Sequence, residues 1–238
     1  MAKTISIENL FVYLAVFSDL LPLTLAFLFY HKTKSEKGLS VLNVYLLFDL
    51  FANIILLYFI PENRNHKYVY PIFTLIETVL FAGFYFLTFK RSRFKNAAFI
   101  LSVFVTVSFI IYYIIRYLIL PKPPRIDSVP IGIETVLMIV FLLMYLYEQI
   151  NDTTTLFVYY KHSFWVAIGI IIFLAGSLFI FAFASQLPLK ELQKYWVFTN
   201  IFCIVRNCFF TIAIYILARQ IGKADDEFET LLSFENLN

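Results

Sequence analysis

The chain has 238 residues, of which 61% are apolar and only 15% charged, and its net charge is +3. Soluble domains carry about 25% charged residues, so the composition excludes an ordinary water-soluble globule and points to lipid as the solvent. The weak, scattered positive charge also excludes a nucleic-acid partner, which needs a dense basic face.

A membrane span needs about 17–25 mostly apolar residues. Seven stretches qualify: 10–30, 39–60, 69–89, 97–120, 129–147, 164–185 and 195–217. The expected fold is therefore all-α, a single polytopic transmembrane bundle over residues 1–218, with residues 219–238 as a short polar, acidic tail. Residues 1–9 are short and mixed in charge (Lys3, Glu8), and no small-residue cleavage site follows the first apolar run. That run reads as a helix and not as a cleaved signal.

The first span holds Asp19 near its middle, with Pro22 placed to kink the helix and free a carbonyl beside that acid. Asp49 lies about as deep in the second span, and Asn53 follows one turn later on the same face. The third span carries Glu77, with Thr74 on the turn before it. Hydroxyls mark the fourth: Ser102, Thr106, Tyr112 and Tyr113. Glu134 sits near the start of the fifth. Gly169 and Gly176 stand seven apart in the sixth, a spacing that lets helices pack closely. In the seventh, Asn200 and Asn207 share one stripe, Cys203 lies between them, and Arg206 stands beside it. Cys203 and Cys208 point to different helix faces, so neither a disulfide nor a metal spacing is expected, and no cofactor motif is present.

The breaks carry turn residues and charge: HKTKSEKG, PENRNHK, KRSRFK, PKPPRID, EQINDTTT and SQLPLKELQK. Within the fifth, Thr155–Tyr160 is itself apolar and reads as a short interfacial segment. Tyrosines gather at span ends (Tyr30, Tyr68, Tyr70, Tyr147, Tyr159, Tyr160, Tyr195), as in an interfacial belt. One side of the membrane receives ten Lys and Arg residues and the other eight, and the compact clusters 32–37 and 90–95 lie on the richer side. Positive charge stays in the cytoplasm, which places the N-terminus outside and the C-terminus inside. A five-residue match, Ile76-Glu77-Thr78-Val79-Leu80 with Ile133-Glu134-Thr135-Val136-Leu137, follows a proline in each copy and hints at a duplicated helix hairpin.

Charge inside a membrane is the strongest functional signal in the chain. Each such group costs about 2.5–3.5 kcal/mol at the bilayer centre even on lenient scales. Asp19, Asp49, Glu77, Glu134 and Arg206 must therefore face the bundle interior or a wet cavity. With Asn53, Asn200 and Asn207 they form the candidate set for ligand binding or proton relay, and Arg206 is expected to pair with Glu77 or Asp49. No catalytic residue and no metal ligand is assigned.

Phe73-Thr74-Leu75-Ile76-Glu77, Ser163-Phe164-Trp165 with Gly169 and Gly176, and Trp196 with Asn200, Arg206 and Asn207 carry a resemblance. Together with Asp19, Pro22 and Asp49, the chain resembles a family of uncharacterised bacterial integral membrane proteins with about seven helices. The resemblance runs from about Ser18 to Ala218 and implies a multi-pass protein of a bacterial inner membrane. It implies no activity. Members of that family read Lys-Asn where this chain reads Arg206-Asn207; the charge is kept, but Arg adds a planar fork of donors.

Three function classes fit. The first is a ligand-binding or sensor-like module with an outward polar pocket, a small-molecule ligand, surrounding membrane lipids and a cytoplasmic signalling partner. The second is a carboxylate-dependent transporter coupled to protons or cations. The third is an intramembrane lipid-modifying enzyme, for which no nucleophile–base pair is visible, so the reading leans away from an enzyme.

Overall fold

The computed structural model describes residues 7–58, 69–119, 128–152, 157–183 and 186–235. It is built of helices, with no strand among the described residues. Helix α1 (Ile7–Leu28) is followed by the single turn α2 (Tyr30–Thr33), then α3 (Lys37–Tyr58) and α4 (Val69–Thr88). Helix α5 (Ser92–Ile114) widens into a π-helical turn, Ile115–Ile119. Then come α6 (Ser128–Ile150), a 3-10 turn at Val158–Tyr160, α7 (His162–Phe183) and α8 (Leu189–Glu235). Seven of these helices are long and apolar enough to span a membrane.

The predicted spans coincide with these helices to within a few residues. The predicted breaks at 61–67 and 121–127, and the span ends Ile60, Leu120 and Ser185, lie outside the described residues. So do the first two residues of Thr155–Tyr160, of which Phe157 and the 3-10 turn are described. One difference concerns the end of the chain. The sequence reading stops the last span at Leu217, whereas α8 continues without a break to Glu235. Polarity changes after Arg219, but no proline interrupts the run and Gly222 is its one glycine, so nothing local ends the helix.

Six helices close a ring. Helix α1 packs on α3, α3 on α4, α4 on α6, α6 on α7, α7 on α8, and α8 returns to α1. Helix α5 lies outside this ring against α4 and α6. Large apolar side chains point outward, as a lipid surface requires: Phe27 is 84% exposed and Phe104 68%. The hydroxyls expected to contribute from the fourth span do not reach the centre. Ser102 bonds back to Ala98 O at 2.6 Å within its own helix, because α5 has no face on the ring interior. The interfacial tyrosines Tyr30, Tyr147, Tyr159, Tyr160 and Tyr195 are exposed at helix ends.

One buried carboxylate escaped the sequence reading. Glu148, placed in a polar break by its sequence, belongs to α6 and is only 2% exposed. Its Oε1 and Oε2 accept from Lys90 N at 3.1 and 3.0 Å, and Oε1 also accepts from Arg91 N. Lys90 and Arg91 immediately precede α5, and Arg91, its N-cap residue, makes no side-chain cap of its own. Glu148 thus holds the turn that leads into α5 from the neighbouring helix, and the carboxylate lies beside the positive end of the helix dipole. Beside it, Asp152 bridges Lys90 Nζ at 2.7 Å and Lys161 Nζ at 2.9 Å. Glu148→Ala is expected to cost about 1.5–3 kcal/mol, the range for hydrogen bonds to a charged group. Glu148→Gln, which keeps one acceptor, should cost less. Thermal unfolding in detergent measures both.

Candidate functional site

The site is built in the half of the bundle that contains the N-terminus. All six ring helices contribute to a cavity of about 170 Å³. Its lining includes Ala15 of α1, Asp49 and Asn53 of α3, Thr74, Glu77 and Phe81 of α4, and Glu134 and Thr135 of α6, with Phe173 of α7 and Trp196, Thr199, Asn200, Cys203 and Arg206 of α8. Apart from Phe81, which lies past the middle of α4, each of these positions lies toward the N-terminal end of α1, α4, α6 or α8, or the C-terminal end of α3 or α7. Antiparallel neighbours bring those ends to the same side.

Arg206 is the hub. It is 2% exposed, and its Nη2 meets Asp49 Oδ2 at 2.6 Å. Its Nη1 donates to Tyr45 Oη at 2.6 Å, and the tyrosine hydroxyl donates onward to Glu77 Oε1 at 3.0 Å. Of the two partners expected for Arg206, Asp49 is thus the direct one, and Glu77 is reached through Tyr45. The guanidinium carbon also lies 4.7 Å from the Phe173 ring centre, 5.4 Å from that of Tyr45 and 5.7 Å from that of Phe210. Such faces stabilise a desolvated cation by cation–π attraction.

A second branch runs through Asn207. Its Nδ2 donates to Asp19 Oδ1 at 2.6 Å and to Ser18 Oγ at 2.8 Å, while its Oδ1 faces Arg206 Nη2 at 3.3 Å. Asn53 Nδ2 donates to Asp19 Oδ2 at 3.1 Å. Pro22 lacks the N–H that Ser18 O would receive in a regular helix, so α1 is loosened where it presents Ser18 and Asp19. On the far wall, Glu134 Oε1 lies 2.9 Å from Thr78 Oγ1, which also approaches Thr74 O at 2.7 Å.

Of the eight predicted site residues, Asp49, Asn53, Glu77, Glu134, Asn200 and Arg206 line the cavity. Asp19 and Asn207 lie behind it, fully buried, and join it through hydrogen bonds. The matching Ile-Glu-Thr-Val-Leu segments of α4 and α6 meet at the cavity, where Thr78 of one touches Glu134 of the other. Tyr45, Ser18, Thr78 and Thr199 were missed. A tyrosine or threonine in an apolar run carries no sequence signal that separates it from lipid-facing or back-bonded ones. The depth of Tyr45, one turn before Asp49 on the same face, was the available clue.

Asp19, Asp49 and Cys203 bring ligand atoms within 4.8 Å of one another, a cluster that sequence spacing does not reveal. The group does not suit a metal ion. Arg206 Nη2 already sits 2.6 Å from Asp49 and 3.3 Å from Cys203 Sγ, and amides serve both oxygens of Asp19. A cation in their midst would face the guanidinium at close range.

The fold and this interior define a multi-pass helical membrane protein with an inward-facing polar centre. Comparison with protein-family models, curated proteins and solved structures finds no match. The resemblance noted above therefore rests on its quoted motifs alone.

Proposed function

We propose that the chain is a ligand-binding, sensor-like module of a bacterial inner membrane. Its N-terminus lies outside, its C-terminus lies in the cytoplasm, and its cavity opens toward the outer face. One observation carries the reading. Thr199 Oγ1 and Asn200 Nδ2 are buried on the cavity wall without a hydrogen-bond partner. Leaving such a group unsatisfied costs about 1–3 kcal/mol, a cost a ligand removes by pairing with it. Purely structural polar residues would instead bond across helices, as Asn207 and Asn53 do. The long cytoplasmic extension of α8 offers a route by which occupancy reaches a partner, since the same helix carries Arg206 and Asn200.

Native mass spectrometry of the protein extracted from its membrane tests this. Wild type should carry a small adduct, and Asn200→Leu, which removes the donor and fills space, should lose it while remaining folded. No adduct in either protein, with Asn200→Leu more stable than wild type, would mean that the cavity is a packing defect.

A carboxylate-dependent transporter is the second reading. It is favoured by Glu77 and Glu134 facing one cavity from helices that carry the same five-residue segment. It expects flux into liposomes that Glu77→Gln abolishes. The lipid-modifying enzyme gains no such support. The thiol at the cavity, Cys203, accepts from Arg206 at 3.3 Å, and no histidine lines the cavity among the described residues.

A further inference from the structure

Hydrogen-bond supply divides the four acids at the centre of the bundle into two kinds. Asp49 holds the Arg206 guanidinium, and Asp19 receives one amide donor on each oxygen. Glu77 receives one hydroxyl, from Tyr45. Among the described residues Glu134 accepts from Thr78 alone, whose single hydrogen is also claimed by Thr74 O. A carboxylate offers about four acceptor sites, so Glu77 and Glu134 are the under-supplied pair, and both line the cavity. Among the described residues Arg206 makes no hydrogen bond to either of them. Its Nη1 donates to Tyr45, its Nη2 to Asp49 and Cys203, and its Nε points to Asn207. No other Lys, Arg or His lines the cavity among the described residues.

The opposite wall asks for something else. Asn200 Nδ2 is a donor without an acceptor, and Thr199 Oγ1 lies beside it unpaired; the two residues are 9% and 7% exposed. A bare metal cation would serve the acids and leave the amide unpaired. A zwitterion would add its own carboxylate to a cavity already lined by those of Asp49, Glu77 and Glu134, where Arg206, the one cationic lining residue among the described residues, is already paired. A neutral molecule would donate hydrogen bonds to the acids but leave the charge of the pair without a counter-charge. The remaining class carries a cation at one end and an acceptor oxygen at the other. The rings of Phe73 and Phe81, on the helix of Glu77, and of Trp196, on the helix of Thr199 and Asn200, also line the cavity, and aromatic faces are the usual partners of alkylated ammonium groups.

Resting on the ligand-binding reading above, we propose that the cavity binds a small amino alcohol or its N-methylated form, with its ammonium at Glu77 and Glu134 and its oxygen at Thr199 and Asn200. Size agrees. A cavity of about 170 Å³ compares with the engineered one of about 150 Å³ that holds benzene, so a molecule of about seven heavy atoms fits. The same chemistry occurs free in solution and as a lipid headgroup, and the two sources are separable.

The test is calorimetric titration of the full chain in phosphatidylglycerol nanodiscs. The probes are choline and its neutral isostere, in which carbon replaces the quaternary nitrogen. Choline should bind at least about tenfold more tightly than the isostere, as desolvated cation–π and ionic contacts require. The Glu77→Gln/Glu134→Gln double variant, isosteric with wild type, should lose this preference. Thr199→Val should weaken choline and isostere alike, since both carry the hydroxyl. Repeating the titration in phosphatidylcholine nanodiscs separates the sources. Loss of choline binding there identifies the headgroup as occupant, and unchanged binding identifies the free molecule. An isostere that binds as tightly as choline, or a double variant that still prefers choline, overturns the cationic class and leaves the ligand pocket standing. If wild type binds neither probe, the amino-alcohol class is overturned, and the mass-spectrometric adduct decides separately whether a ligand pocket exists.

Discussion

Arg206→Met is expected to destabilise the bundle by about 3–5 kcal/mol, the cost of leaving one member of a buried ion pair behind. The member left is Asp49, which is 4% exposed and takes its closest contact from Arg206 Nη2 at 2.6 Å. Tyr45 Oη and Asn207 Oδ1 lose donors in the same step. Because most of the loss comes from the orphaned charge, Asp49→Asn in the same chain should restore a large part of it. The double-mutant cycle then yields a coupling energy distinct from zero. Arg206→Lys makes a second, different statement. One ammonium can meet Asp49, but it cannot span Asp49 and Tyr45 in the planar fork that Arg provides. It should keep most of the stability and disconnect Glu77 from the hub. Unfolding curves in mild detergent, followed by Trp fluorescence, read all five proteins, wild type and the Asp49→Asn single variant included. A loss under about 1 kcal/mol for Arg206→Met would show that Asp49 is not held as a desolvated ion.

Much of this centre was legible before any coordinates. A charge in an apolar run cannot face lipid, so Asp19, Asp49, Glu77, Glu134 and Arg206 had to converge. Helical spacing placed Asn53 on the face of Asp49 and Asn207 on the stripe of Asn200; that both amides donate to Asp19 is not encoded in that spacing. The choice between Asp49 and Glu77 as the arginine's partner was not legible, because it depends on how α3 and α4 rotate about their axes, and a nearly uniform apolar surface leaves rotation unmarked. Tyr45 was hidden for the same reason. Glu148 was hidden for another. Polar residues at a span end read as loop, and only the packing of α5 on α6 shows that this carboxylate holds the turn before α5. The position of the cavity followed from counting depth along alternating helices, whereas its unsatisfied wall at Thr199 and Asn200 is a property of packing that no spacing encodes.

Replacing Gly169 is expected to have the other large effect, for a reason that joins packing to the site. A Cβ built there would lie 3.0 Å from Phe209 Cβ and 3.2 Å from the carbonyl oxygen of Arg206. Neither neighbour can turn away. One is fixed to the backbone of α8, and the other is that backbone. At Gly176 the added atom would meet the Phe202 ring at 2.2 Å, a harder overlap, but with a half-buried ring that can rotate about its own side-chain torsions. The two glycines stand at the interface where α7 and α8 pack, and small residues there let backbones approach. Overpacking a fitted interface typically costs about 1–3 kcal/mol. Gly169→Val should reach or exceed the top of that range. It pushes α8 off α7 at the turn that carries Arg206, so the guanidinium must leave Asp49 or pull α3 with it. Gly176→Ala, despite the closer overlap, should cost less and leave ligand binding intact. Melting temperature and choline affinity, measured side by side, separate the cases. If Gly169→Val melts with wild type and binds as wild type does, then α7 and α8 are not locked at this turn, and Arg206 is held by its ion pair alone.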